Sequence, residues 1–282
     1  MCVSLAPAHL SKTILYVGEA LVDRKNIHVL GYQNRAQNLA PGANAMILPF
    51  PAEYGSMTPK NILSTKDCPN ILKDMERALT PVRRTLSLGA DSMTRGAKGI
   101  VQVFQHDIYT IVLAEDARDI PGALKLVPKD KRPKLNKKIF DAYAKWYPGW
   151  AIALCCFNNK DSAEAKPMLW WYDAVDHGNF FAPALDCHTG DVPDLTALVD
   201  VDHTIVTSMK TEKFIGSPVF YRDQERISPE VRAYLPEKVE GRMIQGRIPN
   251  GDFFIRKLDF YYDGKLTIDR YAPRGMVIAK AK

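Results

Sequence analysis

The sequence predicts an α+β fold dominated by antiparallel sheet, and three observations carry that expectation. Short apolar segments rich in β-branched and aromatic residues outnumber helical patterns. Short polar turns join most of them, and antiparallel neighbours are the ones that accept such short connections. Near the C-terminus, Asp263-Gly264 stands between alternating apolar segments, a strong hairpin signal.

Taken in order, segments 13–20 and 27–33 are apolar and flank the polar stretch 23–26, which predicts a hairpin. A third strand is expected at 45–50, after Pro41-Gly42. Ile71, Leu72, Met75, Ala78 and Leu79 recur at helical spacing between Pro69 and Pro81. A polar, Gly-rich stretch follows at 89–99, and strands expected at 100–105 and 108–114 meet at His106-Asp107. Segment 121–133 contains Pro121, Pro128 and Pro133 and reads as a loop or linker. Residues 134–146 form an amphipathic helix pattern. Leu135, Ile139, Ala142, Tyr143 and Trp146 make one stripe, and Lys134, Lys137, Lys138, Asp141 and Lys145 fall largely opposite. Pro148-Gly149 ends it.

The second half predicts strands at 151–157, 168–174, 180–185 and 204–208. A short helix is expected at 229–235, capped by Ser228 with Pro229 in its first position. A closing meander is expected from 243–248, 253–261 and 265–271. The strand order at 13–50 recurs at 151–185, which raises an internal duplication of a three-stranded unit. The organisation expected is a β-rich half at 1–120, a basic Pro-rich linker and helix at 121–149, and a second β-rich half at 150–282. One compact domain would satisfy the same pattern.

Hydrophobic residues make up 46% of the chain and charged residues 25%, which supports a packed core and excludes whole-chain disorder. No apolar run reaches the roughly 18 residues that a spanning helix needs. The first ten residues lack a basic n-region, so no secretory leader is expected. The cysteines Cys2, Cys68, Cys155, Cys156 and Cys187 are odd in number and contain no CxxC. They read as free thiols of a reducing, cytoplasmic compartment.

Charge is the most localised feature. The net charge is +6, and segment 125–145 accounts for all of it with eight basic and two acidic residues. The leading expectation is therefore a non-enzymatic binding protein that engages a polyanion, with nucleic acid (RNA or single strands) foremost. Lys129, Lys131, Arg132, Lys134, Lys137, Lys138 and Lys145 would contact phosphates, helped by Arg83 and Arg84 from a second basic patch that includes Arg95 and Lys98. Tyr143, Trp146, Tyr147 and Trp150 would be placed to stack on bases. An acidic protein partner would suit the same lysines, in a structural or interaction role.

Two hydrolytic alternatives stand beside it. Cys2 directly follows Met1 and precedes strand-like segments, an opening that resembles amidotransferases and acylases of the N-terminal nucleophile superfamily. The resemblance implies stacked antiparallel sheets, with Cys2 as nucleophile and its own α-amine as base once Met1 is removed. Asn34 and Arg35 would then supply an oxyanion donor and a carboxylate clamp. The chain departs from the family after Cys2, where Val3-Ser4-Leu5-Ala6-Pro7 replaces the usual Gly-rich run. The other alternative lies in 173–203, which holds seven aspartates, three histidines and Cys187 but no Lys or Arg. Asp186, His188, Asp202 and His203 offer carboxylate and imidazole for acid–base chemistry or a metal, although their spacing matches no metal signature. His188-Thr189-Gly190-Asp191 reads equally as a turn with Gly190 at positive φ. No cofactor is expected: the chain has no P-loop, GxGxxG, GxSxG, HExxH or EF-hand loop.

Overall fold

The computed structural model describes residues 3–79, 101–158 and 166–273. In chain order the strands of the first half are β1 (Val3–Ser4), β2 (Ala8–Val22), β3 (Lys25–Asn38), β4 (Asn44–Phe50), β5 (Ile62–Leu63), β6 (Val101–His106) and β7 (Tyr109–Ala114). Those of the second half are β8 (Ala151–Phe157), β9 (Met168–Tyr172), β10 (Asn179–Ala182), β11 (Leu198–Ser208), β12 (Ser217–Pro218), β13 (Lys238–Pro249), β14 (Asp252–Arg256) and β15 (Ile268–Tyr271). The helices are α1 (Ile71–Ala78), α2 (Ile120–Ala123), α3 (Lys137–Trp146), α4 (Pro229–Arg232) and α5 (Lys257–Asp263).

The fold is α+β and mostly antiparallel. A seven-stranded sheet runs β12-β13-β11-β2-β3-β9-β5, a five-stranded sheet β1-β4-β8-β7-β6, and a three-stranded sheet β10-β14-β15. Among the described strand pairs β11 runs parallel to β2, from His203↔Thr13 to Ser208↔Gly18. Both large sheets take strands from both sides of the 121–149 segment.

Period-two alternation explains the layering. Along β8, Ala151, Ala153, Cys155 and Phe157 face a central core shared with Leu15, Val17, Leu30, Tyr32, Trp170 and Ile205 of the large sheet. Ile152, Leu154 and Cys156 face the opposite way, against Ile139, Phe140 and Tyr143 of α3. The outer face of the seven-stranded sheet carries Ile14, Tyr16, Val29 and Leu169 and is covered by Ile71, Leu72 and Met75 of α1, with Val231, Tyr234 and Leu235. The order is helix, sheet, sheet, helix, and the inner strands β4 and β8 are buried on both faces. That accounts for the near-continuous apolar runs in β4 and β8. The vicinal cysteines pack into two different cores, and no disulfide occurs among the described residues.

Four expectations are corrected. Segment 121–133 is not an open linker; α2 and the short helical turns Leu124–Leu126 and Lys129–Lys131 occupy it. α3 begins at Lys137, with Asn136 as its cap, so Leu135 lies before the helix and is 38% exposed, while Phe140 takes a place in the core face. The recurring strand order is not a recurring topology. β2 and β3 form a hairpin within one sheet, whereas β8, β9 and β10 lie in three different sheets.

The closing meander is also different. β13 pairs with β11, not with β14. The strand expected at 253–261 ends at Arg256, and α5 follows. Short apolar runs satisfy both periods, and Lys257 decides between them here. Its buried ammonium meets the Glu19 carboxylate from β2, and its N–H donates to Gly178 O. Asp263-Gly264 then ends a helix: Gly264 sits at φ +62° and donates its N–H to Phe260 O. β14 and β15 still pair, Asp252↔Tyr271 to Ile255↔Ile268, across that helical connection.

Candidate functional site

α3 is fixed on three sides. Asn136 accepts a hydrogen bond from Lys138 N at 3.2 Å, and its own amide donates to Gly190 O at 3.0 Å. Ile139, Phe140 and Tyr143 are buried against the five-stranded sheet. At the far end Tyr147 N donates to Tyr143 O. The opposite face is left to solvent, and Lys134, Lys137, Lys138, Asp141 and Lys145 are exposed, as are Lys125 and Lys129 upstream. None of these six lysines forms an ion pair among the described residues.

The rest of the expected basic set divides. Lys131 donates to the carbonyl of Ile108. Arg132 donates to Val127 O at 2.7 Å and to Lys125 O at 2.7 Å, which ties the helical turns of 124–131 together. Both are half-buried and hold the segment in shape. Arg83 and Arg84, with Arg95 and Lys98, lie outside the described residues. The base-stacking role expected for the aromatics is overturned for three of them: Tyr143, Tyr147 and Trp150 are 1%, 2% and 3% exposed. They form a ring series with centroids 5.2 Å and 5.3 Å apart, ending on Phe181 at 4.8 Å. Trp146 alone is half-exposed.

Of the Asp/His candidates, Asp186 and His188 come together, with His188 Nε2 3.0 Å from Asp186 Oδ1. Burial pushes the Asp186 carboxyl up to about 6 and the His188 imidazole down to about 4. Asp202 and His203 are neighbours on β11 and face opposite ways. Asp202 accepts from Lys12 N at 2.8 Å, whereas His203 is fully buried 6.0 Å from the Phe253 ring. Among the described residues no three His, Cys, Asp or Glu side chains group closely enough to hold a metal. Gly190 lies at φ +86° with its position packed against Leu5 O, as the turn reading of 188–191 requires. Cys2 lies outside the described residues. Asn34 is buried, donating to Tyr32 Oη at 2.9 Å, while Arg35 is exposed.

One feature of the surface has no counterpart in the sequence reading. A cleft of about 480 Å³ opens between β13 and the β14–β15 pair, lined by Arg242, Ile244, Ile248, Phe253, Ile268 and Arg270 among others. Two arginines on one cleft arise from strands that the expected meander would have placed differently.

The fold and these surfaces define a mixed α+β sheet protein with a solvent-exposed lysine face on α3 and an arginine-lined cleft beside β13. No protein-family model matches the chain, and no curated protein matches it. Among solved structures the chain is similar to the crystal structure of baculovirus P35, with 14% identity and a TM-score of 0.45 over 96% of this chain and 95% of that one. It is also similar to a mutated baculovirus P35 after caspase cleavage, with 13% identity and a TM-score of 0.43 over 93% and 95%. Superpositions this loose transfer no role to the present chain.

Proposed function

We propose that this protein binds nucleic acid through its phosphate backbone, along the solvent face of α3 and the turns that precede it. The observation that carries the reading is the unpaired state of that face. Lys125, Lys129, Lys134, Lys137, Lys138 and Lys145 are exposed and form no ion pair among the described residues. Two of them, Lys137 and Lys138, stand in the first turn of α3, which has no acidic residue. A cation at that end opposes the helix dipole at a cost of about 0.3–1 kcal/mol each, and a bound phosphate offsets it. With Tyr143, Tyr147 and Trp150 buried and only Trp146 half-exposed, recognition rests on backbone charge more than on bases.

The test is retention on heparin and on single-stranded RNA at low salt. The triple variant Lys134→Glu, Lys137→Glu, Lys138→Glu is expected to elute with the void, with an unchanged circular dichroism spectrum. For the wild type, log K should fall linearly with log salt, at about 0.7 per phosphate contacted on a single strand. Retention by the triple variant equal to wild type overturns the reading. Capture of a partner that survives nuclease treatment transfers the surface to an acidic protein instead.

A further inference from the structure

A second surface, remote in the sequence from α3, has the makings of a peptide site. β13 is held on one side by β11 from Leu198↔Pro249 to Thr207↔Glu240. On its other side β12 covers only Val239 and Lys238. Residues 240–249 therefore present an open strand edge among the described residues, and an open edge is a template for another strand. Beside that edge lies the cleft of about 480 Å³. Its floor is Phe253, which is 2% exposed, and its walls are Ile244, Ile248 and Ile268, all packed on the central core.

The cleft carries two cations and no carboxylate in its lining. Arg270 is set in place: its Nε donates to Pro249 O at 2.7 Å, its Nη2 to Ala184 O at 3.2 Å, and its guanidinium lies 4.6 Å from the Phe253 ring. The remaining nitrogen, Nη1, is buried without a partner among the described residues. The carboxylates of Asp252 and Asp186 act on Arg270 at longer range. Asp252 is already committed to Ala184 N, Leu185 N and Tyr147 Oη. Arg242 is exposed and forms no ion pair among the described residues.

We propose that this edge and cleft dock an extended acidic peptide, which adds as a strand to β13, places a carboxylate on Arg242 and Arg270, and seats an apolar neighbour on the Ile244–Phe253–Ile268 floor. Main-chain hydrogen bonds supply affinity in such strand addition, and alternate side chains supply selectivity. The apolar floor and the open edge set this surface apart from α3, so either surface can fail its test without the other.

The probe is a fluorescent peptide alternating valine with glutamate, tested against the full chain by anisotropy. Two control peptides are used: one with lysine for every glutamate, and one N-methylated at alternate residues. The acidic peptide is expected to bind, Arg242→Glu to weaken it by about tenfold, and amide exchange in 240–249 to slow on binding. N-methylation should abolish binding. Equal binding of the lysine peptide, undiminished binding by Arg242→Glu, or no binding at all overturns the proposal. Concentration-dependent dimerisation in sedimentation, with protection of 240–249 in the absence of peptide, assigns the edge to a second copy and overturns it equally.

Discussion

His28 makes the protein's stability acid-sensitive, by an amount that can be worked out. The side chain is 1% exposed. It sits edge-on to Phe180 at 4.9 Å, to His177 at 5.6 Å and to Tyr172 at 5.8 Å, and neither ring nitrogen has a partner among the described residues. Burial, reinforced by Lys257 and His177, pulls its pKa down to about 3 from 6.5. Between those values the unfolded chain binds a proton that the folded chain refuses, so this contribution to stability is present above pH 6.5 and is lost as pH falls. At about pH 4.5, two pH units below the unfolded pKa, the loss is on the order of 3 kcal/mol. The assay is urea unfolding near pH 7 and near pH 4.5, on wild type and on His28→Leu, which fills a similar volume. Wild type should lose on the order of 3 kcal/mol more than the variant over that interval. Equal losses in the two proteins would refute the reasoning.

Two further predictions concern buried polar pairs. Asp252 is fully buried and accepts from Tyr147 Oη at 2.6 Å, Ala184 N at 2.8 Å and Leu185 N at 3.0 Å; Tyr147→Phe should therefore destabilise by about 1–3 kcal/mol in thermal melts. Glu19 and Lys257 are 3% and 6% exposed. Glu19→Gln strands the ammonium and should cost about 3–5 kcal/mol, while the double change Glu19→Leu, Lys257→Met should be the milder variant in the same denaturation assay.

What could be read from sequence was local, and the reason is periodicity. The β2–β3 hairpin, α1, β6–β7, β8 and the Ser228-capped α4 all follow from spacing within a dozen residues, because each element's own faces are written into it. Partners across the fold were not legible. Glu19 interrupts an apolar strand and Lys257 follows another, so each demanded an opposite charge, yet 238 positions separate them. Asp74 and Arg222, bonded at 2.7 Å, are 148 apart. The preference for pairing sequence neighbours also misplaced β13. Pairing it with β14 would have covered the edge that the structure leaves open, and would have hidden the arginine cleft along with it.

The charge asymmetry of the sequence has a physical explanation in the structure, and it bears on which pole can act. The aspartates of 173–203 are largely occupied within the fold. Asp173 pairs with Lys25 at 2.6 Å, Asp176 accepts from Gly178 N and Asn179, Asp194 from Thr196, Asp191 from Thr189, and Asp202 from Lys12 N. Apart from the Asp173 ion pair, these are turn-forming and bulge-closing bonds that a short carboxylate makes better than other side chains. Six lysines of 125–145 have no such occupation, although two of them crowd the positive end of α3. On the proposed function, the basic face held by Asn136, Lys131 and Arg132 would gain stability when an anion arrives. Moderate salt should therefore raise the melting temperature of wild type more than that of the Lys134, Lys137, Lys138 triple variant, because counterions relieve a repulsion that the variant lacks. An identical salt response in the two would locate the strain elsewhere.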